Sequence, residues 1–240
     1  MRRGGASRVG AALARESALD VALPARPIAA EFISGRGHYQ RVITAVLNAQ
    51  ISVWIGTANL KELLVEAEPT VATRGGSRRG GRGSRSSNDY QSMTAALNEL
   101  AIRGVELRIL HGEMPSRPFR TELAAQPALA RALGFRRCPR VHLKVVIVDG
   151  ALLYLGSANW TGAGLGARGS GRRNFEFGIV TDDAVLLDTV QNLYDQIWRG
   201  GECASCRMRD ECPGPLDARV VPTTTLTNKM PRKPRRRPQK

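Results

Sequence analysis

Three pairs of polar residues carry most of the chemistry that the sequence offers. The members of each pair stand two positions apart, as His142 and Lys144, Ser157 and Asn159, and Asn174 and Glu176. Residues two apart on a strand leave the same face, so each pair presents two polar groups together. Apolar residues surround each pair, and so many unsatisfied polar groups would be costly to bury in a core. We therefore predict that the pairs meet at one sheet surface as a functional site.

At these residues the sequence resembles the phospholipase D superfamily. The signatures that carry the resemblance are HxKxxxxD, present as His142, Lys144 and Asp149, and GSxN, present as Gly156, Ser157 and Asn159. Glu176 also matches, and VWIGTANL resembles the first strand of that fold. The resemblance covers roughly residues 36–200. It implies an α/β fold with a central mixed sheet flanked by helices, and a phosphodiesterase that needs no metal or other cofactor for catalysis.

The resemblance also implies a role for each matching residue. His142 is the nucleophile that forms a covalent phosphohistidine, and a second histidine acts as acid and then as base. Lys144 and Asn159 hold the non-bridging phosphate oxygens, and Ser157 adds a hydrogen bond. Glu176 fixes the orientation of the His142 ring. Asp149 is counted with the catalytic set, although a turn contact is the commoner role at the end of a strand.

The resemblance implies an active site built from two HxK motifs, and this chain contains one. The other two histidines, His38 and His111, have no lysine two residues later. A symmetric dimer would supply the missing half by contributing a second copy of the same motif. We therefore predict a homodimer in which each chain gives one His142 to a shared site.

The cysteines form a second group. Cys203, Cys206 and Cys212 follow the last predicted helix, and Cys138 stands four residues before His142. Four thiolates can hold a tetrahedral zinc ion, so the group predicts a structural zinc site, or less readily an iron–sulfur cluster. The alternative is a set of reduced thiols, with Cys138 packed as a small apolar residue.

The charge of the chain is unevenly distributed. The formal net charge is +15, but three low-complexity segments, 1–15, 74–85 and 219–240, hold 17 basic residues and no acid. The stretch between Ser116 and Arg173 contains ten basic residues and two acidic residues. Within this stretch Arg140, Arg172 and Arg173 are predicted to contact substrate. A positive surface beside a phosphate site, with basic arms, favours a polyanionic substrate.

Three functions remain open from the residues. The first is a nuclease, and the second is a hydrolase or transferase acting on an anionic phospholipid such as cardiolipin, to which basic arms would also be drawn. The third is a dimeric nucleic-acid-binding module without activity, against which the intact motif argues. The scarcity of aromatic residues, 5% of the chain, disfavours a lipid-binding interfacial helix.

Hydrophobic periodicity predicts the elements that position the site. Strands are expected at 51–58, 105–110, 141–148, 151–155 and 174–180, and helices at 38–50, 59–67, 90–103, 119–133 and 183–199. Asp149–Gly150 forms a turn between two strands. Asp89 caps the third helix, and Thr181 or Asp182 caps the last one, which Gly200 ends. This alternation is typical of an α/β layered domain.

The predicted organisation has four parts. A disordered basic arm (1–30) precedes the phospholipase D-like domain (31–200), which contains a disordered Arg/Gly-rich insert (70–88). A cysteine-containing segment (201–214) and a disordered basic tail (215–240) follow. No apolar run reaches the roughly 18 residues of a membrane span, and no secretory signal is recognisable. We expect a cytoplasmic protein.

Overall fold

The structure, a computed structural model, describes residues 17–66 and 90–218. Segments 1–15, 74–85 and 219–240, and the predicted insert 70–88, lie outside the described residues. Residues 17–30 run along the surface without forming a helix or strand. There Arg26 forms an ion pair with Asp183, with Nη1 and Oδ2 2.8 Å apart.

Nine strands are formed by the described residues. In chain order they are β1 (Glu31–Ser34), β2 (Ser52–Thr57), β3 (Leu64–Glu66), β4 (Tyr90–Ser92), β5 (Glu106–His111), β6 (Gly134–Arg137), β7 (Lys144–Val148), β8 (Leu152–Gly156) and β9 (Phe177–Thr181). Seven of them build one mixed sheet in the order β1-β9-β8-β7-β2-β5-β6, and β3 pairs with β4 separately. β2, β5 and β6 are parallel to one another, while β1, β9, β8, β7 and β2 alternate in direction.

Helices cover both faces of this sheet. They are α1 (Thr44–Leu47), which continues a π-helical segment (Tyr39–Ile43), α2 (Met93–Ile102), α3 (Arg117–Ala124), α4 (Pro127–Ala132) and α5 (Ala184–Trp198). The side chain of Ser92 caps α2 by accepting the N–H of Ala95, and Asp183 caps α5 by accepting the N–H of Leu186 at 2.9 Å.

Alternate residues of β7 divide the core in two. Val146 and Val148 join the apolar cluster beneath α1 to α4, while Val145 and Ile147 join the cluster beneath α5. Because successive side chains of a strand point to opposite faces, a strand that is buried on both faces has a continuous run of apolar residues in its sequence. β7 is therefore a central strand, and the residues at its ends are fixed by packing on both faces.

The predicted fold class, a central mixed sheet flanked by helices, is confirmed. The predicted turn at Asp149–Gly150 is also confirmed. Asp149 has φ of 55° and Gly150 has φ of 62°, the positive values that a tight two-residue hairpin requires. The cap of α5 is Asp183 rather than Thr181 or Asp182. The cap of α2 is Ser92, and Asp89 lies outside the described residues.

Several predicted elements differ from the structure. The helix expected at 59–67 is replaced by an irregular stretch and β3, and the helix expected at 119–133 is two helices, the second of which starts at Pro127. A proline is favoured at the first turn of a helix and disfavoured inside one. β1, β4 and β6 were not predicted, because three- or four-residue strands carry too little periodicity to recognise. β7 starts at Lys144, so His142 precedes the strand rather than lying on it.

Candidate active site

The three polar pairs meet at one edge of the sheet. β7 begins with Lys144, β8 ends just before Ser157, and β9 begins just after Glu176. Since neighbouring strands β7, β8 and β9 are antiparallel, the start of β7, the end of β8 and the start of β9 lie at the same edge. The end of β2 reaches this edge too, because Thr57 pairs with Lys144. The predicted convergence is confirmed, in the loops at the strand ends.

His142 and Lys144 are in direct contact. The Nζ atom of Lys144 lies 2.9 Å from Nδ1 and 3.3 Å from Nε2 of His142, and it donates to the His142 carbonyl at 3.0 Å. The ring of His142 is exposed, while Lys144 is half-buried. Burial lowers the pKa of Lys144, and the carboxylates of Glu176 and Glu113 act in the opposite direction. Imidazole and ammonium therefore reach solvent at the same point, where a phosphate group would meet both.

Asn159 is held in place by its side-chain oxygen. Its Oδ1 accepts the N–H of Asn59 at 3.2 Å and the hydroxyl of Thr57 at 3.3 Å. The same Thr57 hydroxyl accepts the N–H of Trp160 at 3.0 Å, which ties the end of β2 to the loop after β8. With the amide oxygen used in this way, the Asn159 Nδ2 group remains the donor available to a bound anion.

Ser157 and Asn174 hold Glu176. The hydroxyl of Ser157 donates to Oε2 of Glu176, and the Nδ2 group of Asn174 donates to Oε1 at 3.1 Å. Ser157 also accepts the backbone N–H of Phe177 at 3.1 Å and thereby joins β8 to β9. The carboxylate of Glu176 is thus bound by these two side chains in the structure, rather than by His142 as the resemblance implied.

Asp149, the last residue of the HxKxxxxD signature, lies at the opposite edge of the sheet. Its carboxylate accepts the backbone N–H groups of Gln50, Ile51 and Ser52, at 3.0, 2.7 and 2.9 Å. Five residues of extended chain separate it from Lys144, about 17 Å at the usual rise per residue. The structure separates Asp149 from the other members of the predicted catalytic set, and we assign it a structural role at the start of β2.

The three arginines predicted to contact substrate are in two places. Arg172 ends a short 3-10 turn (Ser170–Arg172) and is exposed, and Arg173 beside it is half-buried. Both precede Asn174 and so flank the site. Arg140 is exposed two residues before His142, and it also lines the cavity around the cysteines.

The two remaining histidines belong to the core. His38 is fully buried and packs edge-on against Tyr154, with the ring centroids 5.6 Å apart. His111 is 3% exposed, donates from Nδ1 to the Glu113 carbonyl at 2.8 Å and stacks on Phe135. Burial lowers the pKa of both rings. Of the three histidines in the chain, His142 alone is exposed to a substrate.

Residues that the sequence analysis did not select complete the edge. Asn59 follows β2 and donates from Nδ2 to Glu113 at 3.0 Å, and Glu113 follows β5. The Thr57 hydroxyl donates to the Asn59 carbonyl at 2.9 Å and lies 3.3 Å from Oδ1 of Asn159. The only sequence signal for them was the position of TANL directly after a buried strand, because loops at strand ends carry functional side chains.

The four cysteines lie around one small cavity. Its lining includes Cys138, Cys203, Cys206 and Cys212, and its volume is about 20 Å³. All four are free and half-buried. In the described ranges, no three His, Cys, Asp or Glu side chains are already gathered around a common point in the manner of a metal site. Also within these ranges, no helix has the length and apolar character to cross a bilayer.

A protein-family model matches the part of the chain that contains most of the candidate active site. The model described as "Cardiolipin synthase, PLD-like domain" matches residues 86–198. The match contains β7, β8 and β9 and, with them, the HxK and GSxN elements at the sheet edge. The match covers a little under half of the chain, and in this part it confirms the predicted resemblance to the phospholipase D superfamily.

Solved structures similar to this chain include the proteins named NucT and Nuc. NucT from Helicobacter pylori is 17% identical, with 71% of this chain and 95% of that chain covered and a TM-score of 0.45. Nuc from Salmonella typhimurium, a phospholipase D family member, is 18% identical, with 70% and 95% covered and a TM-score of 0.45. Phosphatidylserine synthase from Haemophilus influenzae is 15% identical, with 71% and 38% covered and a TM-score of 0.43. No curated protein sequence matches the chain.

Proposed function

We propose that this protein is a metal-independent phosphodiesterase that hydrolyses nucleic acid through a phosphohistidine, at a site shared by two chains. The phospholipase D-like domain supports enzymatic activity. The observation that carries the proposal is the exposed His142 ring in contact with the Lys144 ammonium, 2.9 Å away. Asn159 and Glu176 lie at the same sheet edge, so a nucleophile, a cation, an amide donor and a carboxylate surround one point.

The reaction has two balanced steps. In the first, a ring nitrogen of His142 attacks phosphorus, a nitrogen–phosphorus bond forms, and the bond from phosphorus to the leaving oxygen breaks. A second histidine gives that oxygen its proton. In the second step this histidine takes a proton from water, whose oxygen displaces His142 from phosphorus. Lys144 and the Nδ2 group of Asn159 compensate the charge on the phosphoryl oxygens in both steps.

The second histidine comes from a second copy of the chain. The rings of His38 and His111 are buried, with 0% and 3% exposure, so a single chain offers one exposed imidazole. Exposed aromatic rings lie beside the site, since Phe175 is fully exposed and Phe177 is 62% exposed. Phe177 pairs with the 68% exposed ring of Phe32 at a centroid distance of 5.7 Å. A second copy seated there would cover these rings and bring its own His142 to the phosphate.

Charge supports nucleic acid as the substrate. The stretch from Ser116 to Arg173 carries ten basic residues and two acids, and it ends with exposed Arg172 and half-buried Arg173 next to Asn174. Arginines flanking a phosphodiester site suit a substrate with further phosphates on both sides of the scissile bond. The basic segments 1–15, 74–85 and 219–240 would add sequence-independent backbone contacts. A cytoplasmic location belongs to the same proposal, and four free thiols support it.

An anionic phospholipid is the second candidate substrate. The description of the matching family model names cardiolipin synthase, and a phospholipid offers the same phosphodiester to the same residues. Exposed Phe175 and Phe177 would then contact acyl chains instead of a second copy. The two substrates differ in what surrounds the phosphate, so activity measurements separate them.

The test is a substrate panel with matched variants. Purified protein is incubated with single-stranded DNA, duplex DNA, RNA and cardiolipin vesicles, with and without EDTA. We expect nucleic-acid cleavage that survives EDTA, is lost in His142→Ala, and is retained in Glu99→Ala, a change at an exposed position of α2 outside the basic stretch. Lipid turnover without nucleic-acid cleavage would replace the proposed substrate with the second candidate. Salt-sensitive binding without turnover of any substrate would make the chain a binding module.

A further inference from the structure

The cysteines come together from two distant parts of the chain. Cys138 follows β6 and donates its backbone N–H to the His111 carbonyl at 2.9 Å, which fixes it to the end of β5. Cys203, Cys206 and Cys212 follow α5, more than 60 residues later. All four line the same cavity of about 20 Å³. A space of this size is roughly that of one water molecule or one ion.

The segment that carries three of these cysteines is a chain of tight turns. Cys203 N–H donates to the Gly200 carbonyl at 2.9 Å, Cys206 N–H to Cys203 at 3.2 Å, and Cys212 N–H to Arg209 at 3.2 Å. Gly200 begins the segment with φ of 77°, a conformation that glycine favours. These turns keep the three cysteines close together along the chain, and all three line the same cavity.

The segment has little else to hold it in place. Between residues 201 and 218 the structure contains no helix or strand, and Leu216 is the one buried residue. The ion pair of Arg209 with Asp217, 2.7 Å long, is largely exposed and contributes little. An irregular segment without its own core is the kind that a bound metal stabilises.

Charge around the cavity suits a metal held by thiolates. A divalent ion with four thiolates carries a net charge of −2. Arg140 and Arg209 both line the cavity, and no acid stands among its lining residues. The Arg140 guanidinium would compensate part of that charge at close range, while Arg209 also pairs with Asp217.

We propose that Cys138, Cys203, Cys206 and Cys212 form a structural zinc site that attaches the segment 201–216 to the turn before His142. The sulfurs line one cavity without being gathered at a common point, so their side chains converge when the ion binds. Four thiols lose four protons and become the four ligands of one Zn²⁺. With every position taken by sulfur, the ion has no open site and takes no part in phosphodiester chemistry. Its role is to hold the chain near Cys138, four residues from His142.

The first experiment measures metal in the full-length protein. Elemental analysis of protein purified without added chelator is expected to give about one zinc per chain. Replacement by Co²⁺ should give thiolate charge-transfer absorption and the visible bands of tetrahedral cobalt. Cys138→Ser and Cys206→Ser should each lose the metal, whereas Met208→Leu, which also changes a residue lining the cavity, should retain it. Absence of zinc together with no cobalt spectrum would overturn the proposal, as would a disulfide found by mass spectrometry.

The second experiment does not depend on variants that fold. Removing the metal from wild-type protein with a strong chelator should lower the melting temperature and expose residues 201–218 to proteolysis, and added Zn²⁺ should reverse both changes. A site formed by the last three cysteines alone would keep its metal in Cys138→Ser, and this result would contradict the attachment to the turn before His142. If the chelated protein keeps its nuclease activity, the site is structural, and the active-site proposal stands independently.

Discussion

Asp149 and Ile51 are joined by a 2.7 Å hydrogen bond between a carboxylate and a backbone N–H, across 98 residues of sequence. The same carboxylate accepts the N–H groups of Gln50 and Ser52. Ser52 begins β2, and Gln50 and Ile51 directly precede it, so Asp149 binds the turn after β7 to the start of its neighbouring strand. A residue of the signature motif thus acts at the edge of the sheet opposite to the candidate site.

Replacing Asp149 should therefore affect stability more than turnover. Asp149→Ala leaves three backbone donors without their acceptor, and we expect a loss of about 2 kcal/mol in the free energy of unfolding. The rate of turnover per folded molecule should change less than about twofold. Urea denaturation at fixed protein concentration and activity per folded chain measure the two effects. Lost turnover with unchanged stability would return Asp149 to the catalytic set.

The contribution of Asp149 should depend on pH. Burial acts to raise its pKa, but the N–H groups of Ser52, Gln50 and Ile51 outweigh it, and the pKa is lowered overall. The stabilisation is therefore fully present above the unfolded-state pKa, and it is lost as the pH falls through the folded-state pKa. The stability difference between wild type and Asp149→Asn should be constant above about pH 5 and should shrink as the pH falls from there through the ordinary aspartate pKa of about 3.9 and below it. A difference that stays constant over this range would contradict the assignment.

Ser157 and Glu176 should act as a unit. Ser157→Ala removes the hydroxyl that donates to Glu176, and we expect the rate to fall about tenfold, the effect of one hydrogen bond. Glu176→Gln removes the charge itself and should cost about a hundredfold. Both should change the acid limb of the pH–rate profile, which a merely structural defect would leave in place. Ser170→Ala, at an exposed position outside this contact, is the control. Wild-type rates and profiles in both variants would exclude Glu176 from the mechanism.

The glycine of the GSxN element should be intolerant of a side chain. A Cβ at Gly156 would lie 2.3 Å from the Tyr154 hydroxyl and 2.6 Å from the Phe177 carbonyl. Gly156→Ala should therefore lower stability by about 1–3 kcal/mol and displace Ser157. Gly169→Ala is the matched control, because an added Cβ there meets nothing within 4 Å. Equal melting temperatures for the two variants would show that β8 and β9 accommodate the extra carbon.

Mixed dimers should reveal whether the site is shared. Wild-type and His142→Ala chains are combined under conditions that exchange subunits, in known proportions. If each site needs two His142 residues, activity follows the square of the wild-type fraction. If each chain has its own complete site, activity follows the fraction itself. A linear result, or a solution mass equal to one chain, would end the shared-site proposal.

The candidate site residues could be predicted from the sequence, because phosphodiester chemistry needs particular side-chain types, and these occur here at the i, i+2 spacing of a strand. His142, Lys144, Ser157, Asn159 and Glu176 were selected in this way, and the apolar runs beside them predicted neighbouring strands. Central strands buried on both faces leave a strong apolar signal. Short edge strands and irregular loops do not, and for this reason β1, β4 and β6 were missed.

Only the tertiary structure decided which groups touch. It placed Asp149 on the far edge, bound Glu176 to Ser157 and Asn174, and brought Thr57, Asn59 and Glu113 to the site. It also brought Cys138 to the three later cysteines. The physical reason is that strand direction and register fix which end of each strand meets its neighbours. Strand direction and register depend on pairing between residues far apart in the sequence, which local spacing does not encode. Residue types therefore indicated the reaction, and the sheet determined the partners of each residue.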